Sequence, residues 1–94
     1  MTKAPTIARW VRVRGKVQGV AYRFWTQRNA RALDVTGWVR NDVDGSVEAF
    51  LQGSKDNVER LIERMRGGPP TARVESVHAS DGHVDELDDF EIRR

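Results

Sequence analysis

The chain has 94 residues, 38% hydrophobic and 32% charged, with 16 Lys and Arg against 14 Asp and Glu and a formal net charge of +2. That size and mix suit a single domain over residues 1–94 with one modest core and argue against disorder, and the near balance of charge does not by itself imply a nucleic-acid partner. Cysteine is absent, His78 and His83 lack partners at ligand spacing, and no apolar run nears the ~20 residues of a membrane span, so neither metal, disulfide nor membrane is expected.

Ile7 to Arg14 alternates loosely and is rich in β-branched residues. This predicts a strand with Val11 and Val13 on one face and Trp10, Arg12 and Arg14 on the other. Gly15 to Gly19 breaks the pattern as a loop. Good helix formers follow from Ala21 to Leu33, where Tyr22, Trp25, Ala30 and Leu33 can share a face while Gln27, Arg28 and Arg31 point outward. Val35 to Asn41 predicts a second strand, with Val35, Gly37 and Val39 opposite Thr36, Trp38 and Arg40.

Asp42 to Gly45 is a turn, since Asp44-Gly45 supplies the backbone freedom of a hairpin; Asp42 and Asp44 read as solvated turn formers. Ser46 to Gln52 returns as a strand with Val47, Ala49 and Leu51 inside, and Ser54 is placed to cap a helix. Val58, Leu61, Ile62 and Met65 then recur at helical spacing, the clearest period in the chain, until Gly67-Gly68-Pro69-Pro70 stops it. Ala72 to Ala79 predicts another strand, Asp81 to Glu86 a polar loop, and Phe90 and Ile92 a short closing strand. The order β-α-β-β-α-β predicts a ferredoxin-like α+β sandwich, a mostly antiparallel sheet with two helices on one face.

Positive charge is uneven along the chain. Arg9, Arg12, Arg14, Lys16, Arg23, Arg28, Arg31 and Arg40 lie in the first half, while Asp81, Asp85, Glu86, Asp88, Asp89 and Glu91 crowd the end. An anionic ligand would be drawn to the first half. There, the stretch Gly15 to Arg23 runs from a strand into a helix. Its loop offers backbone N–H groups without intrahelical partners, at the positive end of a helix dipole. Glycines at both ends let the backbone curl, and Arg23 in the first turn can grip an anion in bidentate fashion. The spacing matches neither the P-loop nor the dinucleotide fingerprint. Asn41 ends the second strand, a position where asparagine is ordinary turn chemistry.

Together, Gly15-Lys16-Val17-Gln18-Gly19-Val20-Ala21-Tyr22-Arg23, then Gly37-Trp38-Val39-Arg40-Asn41, then Asp44-Gly45-Ser46-Val47-Glu48 and Gly53, resemble the acylphosphatase family. Gly68-Pro69-Pro70-Thr71-Ala72-Arg73-Val74 and the ending Phe90-Glu91-Ile92-Arg93 fit it too, so the resemblance covers nearly the whole chain. It implies the ferredoxin-like fold and a cofactor-free, metal-independent hydrolase that splits an acyl phosphate into a carboxylate and inorganic phosphate. Phosphate would also be a competitive ligand. By motif match Arg23 takes the role of the phosphate-binding arginine and Asn41 that of the asparagine orienting the attacking water. The cradle amides fall on Lys16, Val17, Gln18, Gly19 and Val20, with Gly15 as the structural loop glycine.

A loose phosphoryl-transfer transition state asks mainly for positioning and charge stabilisation, and the carboxylate leaving group needs little acid catalysis. Asn41 has no basic group and can only hold and aim a water. An RNA-binding module shares the element order, and Trp10, Arg12 and Arg14 could line an open sheet face. Against it, Asp44 to Phe50 carries acids where the RNA-binding signature needs basic and aromatic residues. A carbamoyl-phosphate-handling or regulatory module is a second alternative within the resemblance. A chain ending soon after its last strand, with no apolar leader in Met1 to Ala8, favours a free-standing, cytoplasmic, monomeric hydrolase.

Overall fold

The computed structural model describes residues 5–94. Residues 1–4, half of the segment read as lacking a leader, lie outside the described residues. The elements run β1 (Thr6–Lys16), α1 (Tyr22–Ala32), β2 (Thr36–Asn41), β3 (Val47–Ser54), α2 (Lys55–Gly67), β4 (Arg73–Asp81) and β5 (Phe90–Arg93). The sheet order is β4-β1-β3-β2-β5. Every pairing is antiparallel except β2 with β5, which is parallel. The fold is the ferredoxin-like α+β sandwich with β5 appended beside β2.

Alternation decides which side of each strand meets the helices. Val11 and Val13 of β1, Val39 of β2 and Val47, Ala49 and Leu51 of β3 are buried in one core with both helices. In α2 the buried residues are Val58, Leu61, Ile62 and Met65, the four that carry the period. Ser54 caps this helix, its Oγ accepting from the Asn57 N–H at 3.3 Å. In α1 the stripe differs from the one predicted. Tyr22, Thr26 and Ala30 are buried, and Trp25 packs only at the margin. Thr26 can sit there because its Oγ1 donates to the Tyr22 carbonyl one turn back at 2.9 Å, which satisfies a hydroxyl that burial would otherwise penalise.

β1 continues two residues beyond the predicted end. A register shift at Arg14/Gly15 lets Gly15 and Lys16 pair with Val74 and Arg73 of β4. Gly15 is therefore a strand-bulge residue rather than a loop glycine. Its φ is +129°, and a Cβ there would lie 2.1 Å from the Arg73 carbonyl oxygen. Both the conformation and the closeness of β4 require glycine.

On the face without helices, Trp10, Phe50 and Trp38 stand in register across β1, β3 and β2. Residues 82–89 join β4 at one sheet edge to β5 at the other and so must cross this face. Gln52 holds that crossing: its amide donates to the Asp85 carbonyl at 2.8 Å and accepts from the Asp85 N–H at 2.7 Å. Phe50 is left 5% exposed and Trp10 39%. Arg12 and Arg40 both donate to Glu48. With Phe50 buried and Arg12 and Arg40 paired to Glu48, this face does not suit base stacking and phosphate contact along a strand.

Candidate active site

After Lys16 the chain turns through Val17, Gln18, Gly19 and Val20 into α1. Val17 is buried in the core, and Val20 packs against it, so both side chains anchor the loop and only their backbone can serve a ligand. The Val20 carbonyl is held by the Thr71 hydroxyl at 2.8 Å. Among the described residues, none of the amides of Val17, Gln18, Gly19 and Val20 is bonded to a protein acceptor. Gly19 has φ +73° with open space around it. Here glycine serves the left-handed backbone alone.

Ala21 caps α1 in the left-handed region, φ 60° and ψ 25°, without a side-chain hydrogen bond, and no acidic residue lies in the first turn. The first helical bond runs from the Trp25 N–H to the Ala21 carbonyl at 3.0 Å. The amides before Trp25 have no intrahelical acceptor, and no carboxylate opposes the positive end of the dipole. Loop and helix start together offer unpaired N–H donors.

Val17, Gly19, Arg23 and Asn41 line one cleft of about 170 Å³, with Phe24 and Ile92 as apolar walls. Arg23, half-buried, donates from Nη1 to the Arg93 carbonyl at 3.2 Å. Its guanidinium keeps four further N–H donors. Asn41 ends β2, and its Oδ1 is buried with no hydrogen-bond partner. A buried acceptor left without a donor is uncommon and marks a place where a water or ligand donor belongs. Lys16, at the exposed end of β1, does not line the cleft, and the Gln18 side chain points instead to the β2–β3 hairpin.

Asp42 and Asp44 sit in the turn as expected, Asp44 exposed and Asp42 half-buried, but both are paired rather than free. Arg12 donates to Asp42 at 2.9 Å and Arg14 to Asp44 at 3.0 Å. The Arg12 hydrogen bond holds the Asp42 carboxyl below its usual pKa. The Ser46 hydroxyl and amide, with Arg14 behind them, bring Asp44 down to about 2. These pairs lock the turn that follows Asn41, and they explain why neither carboxylate is available as a general base. A larger, shallower groove of about 640 Å³ lies on the open face among Trp10, Arg12, Arg14, Glu48 and His78. Its arginines are already committed to carboxylates. Among the described residues, no three histidine or carboxylate side chains gather as a metal-binding group, and no helix is long and apolar enough to cross a membrane.

Sequence reasoning alone did not bring Ile92 and Arg93 into this site. They reach it because β5 lies parallel beside β2, a pairing with no local signature. Phe24 was invisible for another reason: it is an exposed aromatic outside the apolar stripe of α1.

The family model described as Acylphosphatase matches residues 10–92. An acylphosphatase of Salinibacter ruber is 52% identical over 85 residues, 88% of each chain. One from Paraburkholderia xenovorans is 57% identical over 68 residues, covering 72% of this chain and 70% of its own. The solved structure of an acylphosphatase from Coxiella burnetii superposes with a TM-score of 0.92 at 37% identity, covering 99% of this chain and all of the other. A family model matching most of the chain and relatives about half identical to it over most of their length show that the chain belongs to the acylphosphatase family, enzymes that hydrolyse acyl phosphates.

Proposed function

We propose that the cleft between the Val17–Val20 loop and the end of β2 is the catalytic centre, where the phosphoryl group is held by backbone amides and Arg23 and attacked by a water held by Asn41. The observation that carries this reading is that Asn41, whose buried Oδ1 has no hydrogen-bond partner, lines the same cleft as Arg23, Val17 and Gly19. That atom accepts a hydrogen bond from the water and aims its lone pair at phosphorus. Arg23 and the amides of the loop and helix start meet the phosphoryl oxygens, where negative charge is spread in the transition state.

As the water oxygen bonds to phosphorus, the bond from phosphorus to the acyl oxygen breaks, and its electron pair leaves on the carboxylate. The water's proton passes to a phosphate oxygen. No carboxylate or histidine lines the cleft among the described residues, and the carboxylate of Asp42, next in the chain to Asn41, is tied to Arg12. The chemistry asks for no metal ion: the guanidinium and amides supply the charge that a cation otherwise would. The domain spans 1–94, acts as a cytoplasmic monomer and takes inorganic phosphate as product and competitive ligand. The hydrogen bond from Arg23 to the Arg93 carbonyl orients the guanidinium before substrate arrives, and Phe24 and Ile92 offer the acyl group an apolar wall.

The test compares Arg23→Ala with Asn41→Ala, measuring phosphate release from a generic acyl phosphate in buffer stripped of divalent cations. Arg23→Ala lowers turnover and phosphate affinity together, because its contact is made before and during the reaction. Asn41→Ala lowers turnover by a factor on the order of 10² with phosphate affinity nearly unchanged. Equal loss of phosphate affinity in two folded variants overturns the division of roles; wild-type activity lost to a chelator and restored by magnesium or zinc overturns the metal-free chemistry.

A further inference from the structure

The Gln18 side chain lies in the middle of the candidate loop yet does not serve the cleft. Its one amide nitrogen donates both hydrogens across to the hairpin, to the Asp42 carbonyl at 2.7 Å and the Ser46 carbonyl at 2.9 Å. Those two carbonyls are the ones that close the turn. The Asp42 N–H bonds the Ser46 carbonyl at 2.8 Å, and the Gly45 N–H bonds the Asp42 carbonyl at 3.2 Å. Gln18 therefore supplies the second bond to each oxygen, from a half-buried position. No other side-chain hydrogen bond among the described residues ties loop 17–20 to hairpin 42–46.

The two ends of this brace matter. One is the neighbour of Gly19 and lies in the loop whose amides have no protein acceptor. The other includes the carbonyl of Asp42, the residue directly after Asn41. We infer that Gln18 is a positioning residue for the hydrolysis: it fixes the phosphate loop against the strand end and so holds the Asn41 carboxamide in register with the bound phosphoryl group. This rests on the roles proposed above for the loop and Asn41. The hairpin has its own supports, since Arg12 bonds Asp42 and Ser46, and Asp44 bonds Ser46. Loss of Gln18 consequently leaves the turn formed and frees it to shift relative to the loop. Phosphate binding, made by loop and α1 together, survives. Alignment of the water does not, and misplacement of a reacting group by about 1 Å is enough to slow a reaction by up to ~10².

The experiment is a double-mutant cycle of Gln18→Met, which keeps length and removes both donors, with Asn41→Ala. Turnover, KM, phosphate affinity by titration and melting temperature are read for the four proteins. Gln18→Met alone is expected to lower turnover by roughly ten- to a hundredfold with phosphate affinity held within about threefold. In the Asn41→Ala background the same change is expected to do almost nothing further, because the group it positions is gone. An equal loss of turnover in both backgrounds overturns the inference, as does a loss of phosphate affinity that matches the loss of turnover. If Asn41→Ala alone leaves turnover intact, the water-holding reading fails instead, so the two failures are distinguishable.

Gln18→Glu supplies an independent readout, needed if the Met variant does not fold. A carboxylate facing two carbonyl oxygens is repelled and its pKa rises; once protonated it donates one hydrogen bond. Turnover of this variant relative to wild type is expected to recover as pH falls through the acid range. A ratio that is flat with pH overturns the brace.

Discussion

Gly15 and Gly19 bracket the loop symmetrically in the sequence, yet replacing each by alanine should have unlike consequences. At Gly19 a Cβ meets nothing within 4 Å, so only the backbone conformation at φ +73° is penalised. That costs about 1–2 kcal/mol, offset by about 0.4–1 kcal/mol from the stiffer unfolded chain. A net loss near 1 kcal/mol corresponds to roughly 4–8 °C in a domain of this size. At Gly15 the same strain is joined by collision, 2.1 Å to the Arg73 carbonyl oxygen and 2.8 Å to the Glu75 nitrogen, both backbone atoms of β4. Relief requires β4 to move off β1, which sacrifices ladder bonds of about 0.5–1.5 kcal/mol each on top of overpacking worth about 1–3 kcal/mol. The sum, about 4 kcal/mol or more, is a large share of the roughly 5–15 kcal/mol that holds a domain together. Thermal melts of the two variants with and without phosphate separate the cases. Gly15→Ala should melt at least about 15 °C below wild type or fail to fold. Gly19→Ala should fold and melt within about 10 °C of wild type. Its deficit should lie in phosphate affinity, since strain in the loop tilts the amides that bind. Two variants melting within a few degrees of each other would refute the assignment of Gly15 to a bulge packed against β4.

The Tyr22 hydroxyl donates to the Met65 carbonyl at 2.8 Å, tying the start of α1 to the end of α2. Tyr22→Phe leaves that buried carbonyl unpaired and should lower stability by about 1–3 kcal/mol while turnover changes little, as a melt and an activity assay will register. Burial raises the Tyr22 pKa well above that of free tyrosine. Its contribution is thus intact below the unfolded value near 10 and lost as pH rises above it, so Tyr22→Phe should flatten the alkaline fall in melting temperature. Asp44 behaves in the opposite sense. With its pKa lowered from 3.8 to about 2, chiefly by the Ser46 hydroxyl, its stabilisation is present above pH ~4 and lost as pH falls toward 2. Asp44→Asn should therefore soften the wild-type acid transition between pH 4 and 2, and an unchanged acid limb would count against the Asp44–Ser46–Arg14 cluster as its source.

Local patterns were sufficient for much of this protein. The run Val58, Leu61, Ile62 and Met65 announces α2 because a helix burying one face must repeat apolar residues at its own period. Asp44-Gly45 announces the hairpin because few residues accept positive φ. Arg23 and Asn41 stand out as a pair only through the joint motif, since an arginine in a helix and an asparagine at a strand end are individually commonplace. What local pattern could not reveal comes from residues far apart in the chain. β5 pairs with β2 across some 50 residues, and nothing in Phe90 to Arg93 says that the pairing is parallel or that Ile92 will wall the cleft. Thr26 rather than Trp25 occupies the centre of the α1 interface because the space there is fixed by the sheet below, and a threonine can hide its hydroxyl within its own helix. Gly15 reads as a loop glycine until β4 is seen against it. Gln18 reads as one more cradle residue until the hairpin is placed within reach of its amide. Periodicity records which face of an element is buried; which partner buries it, and which polar atom waits at the junction, is decided only when the elements pack.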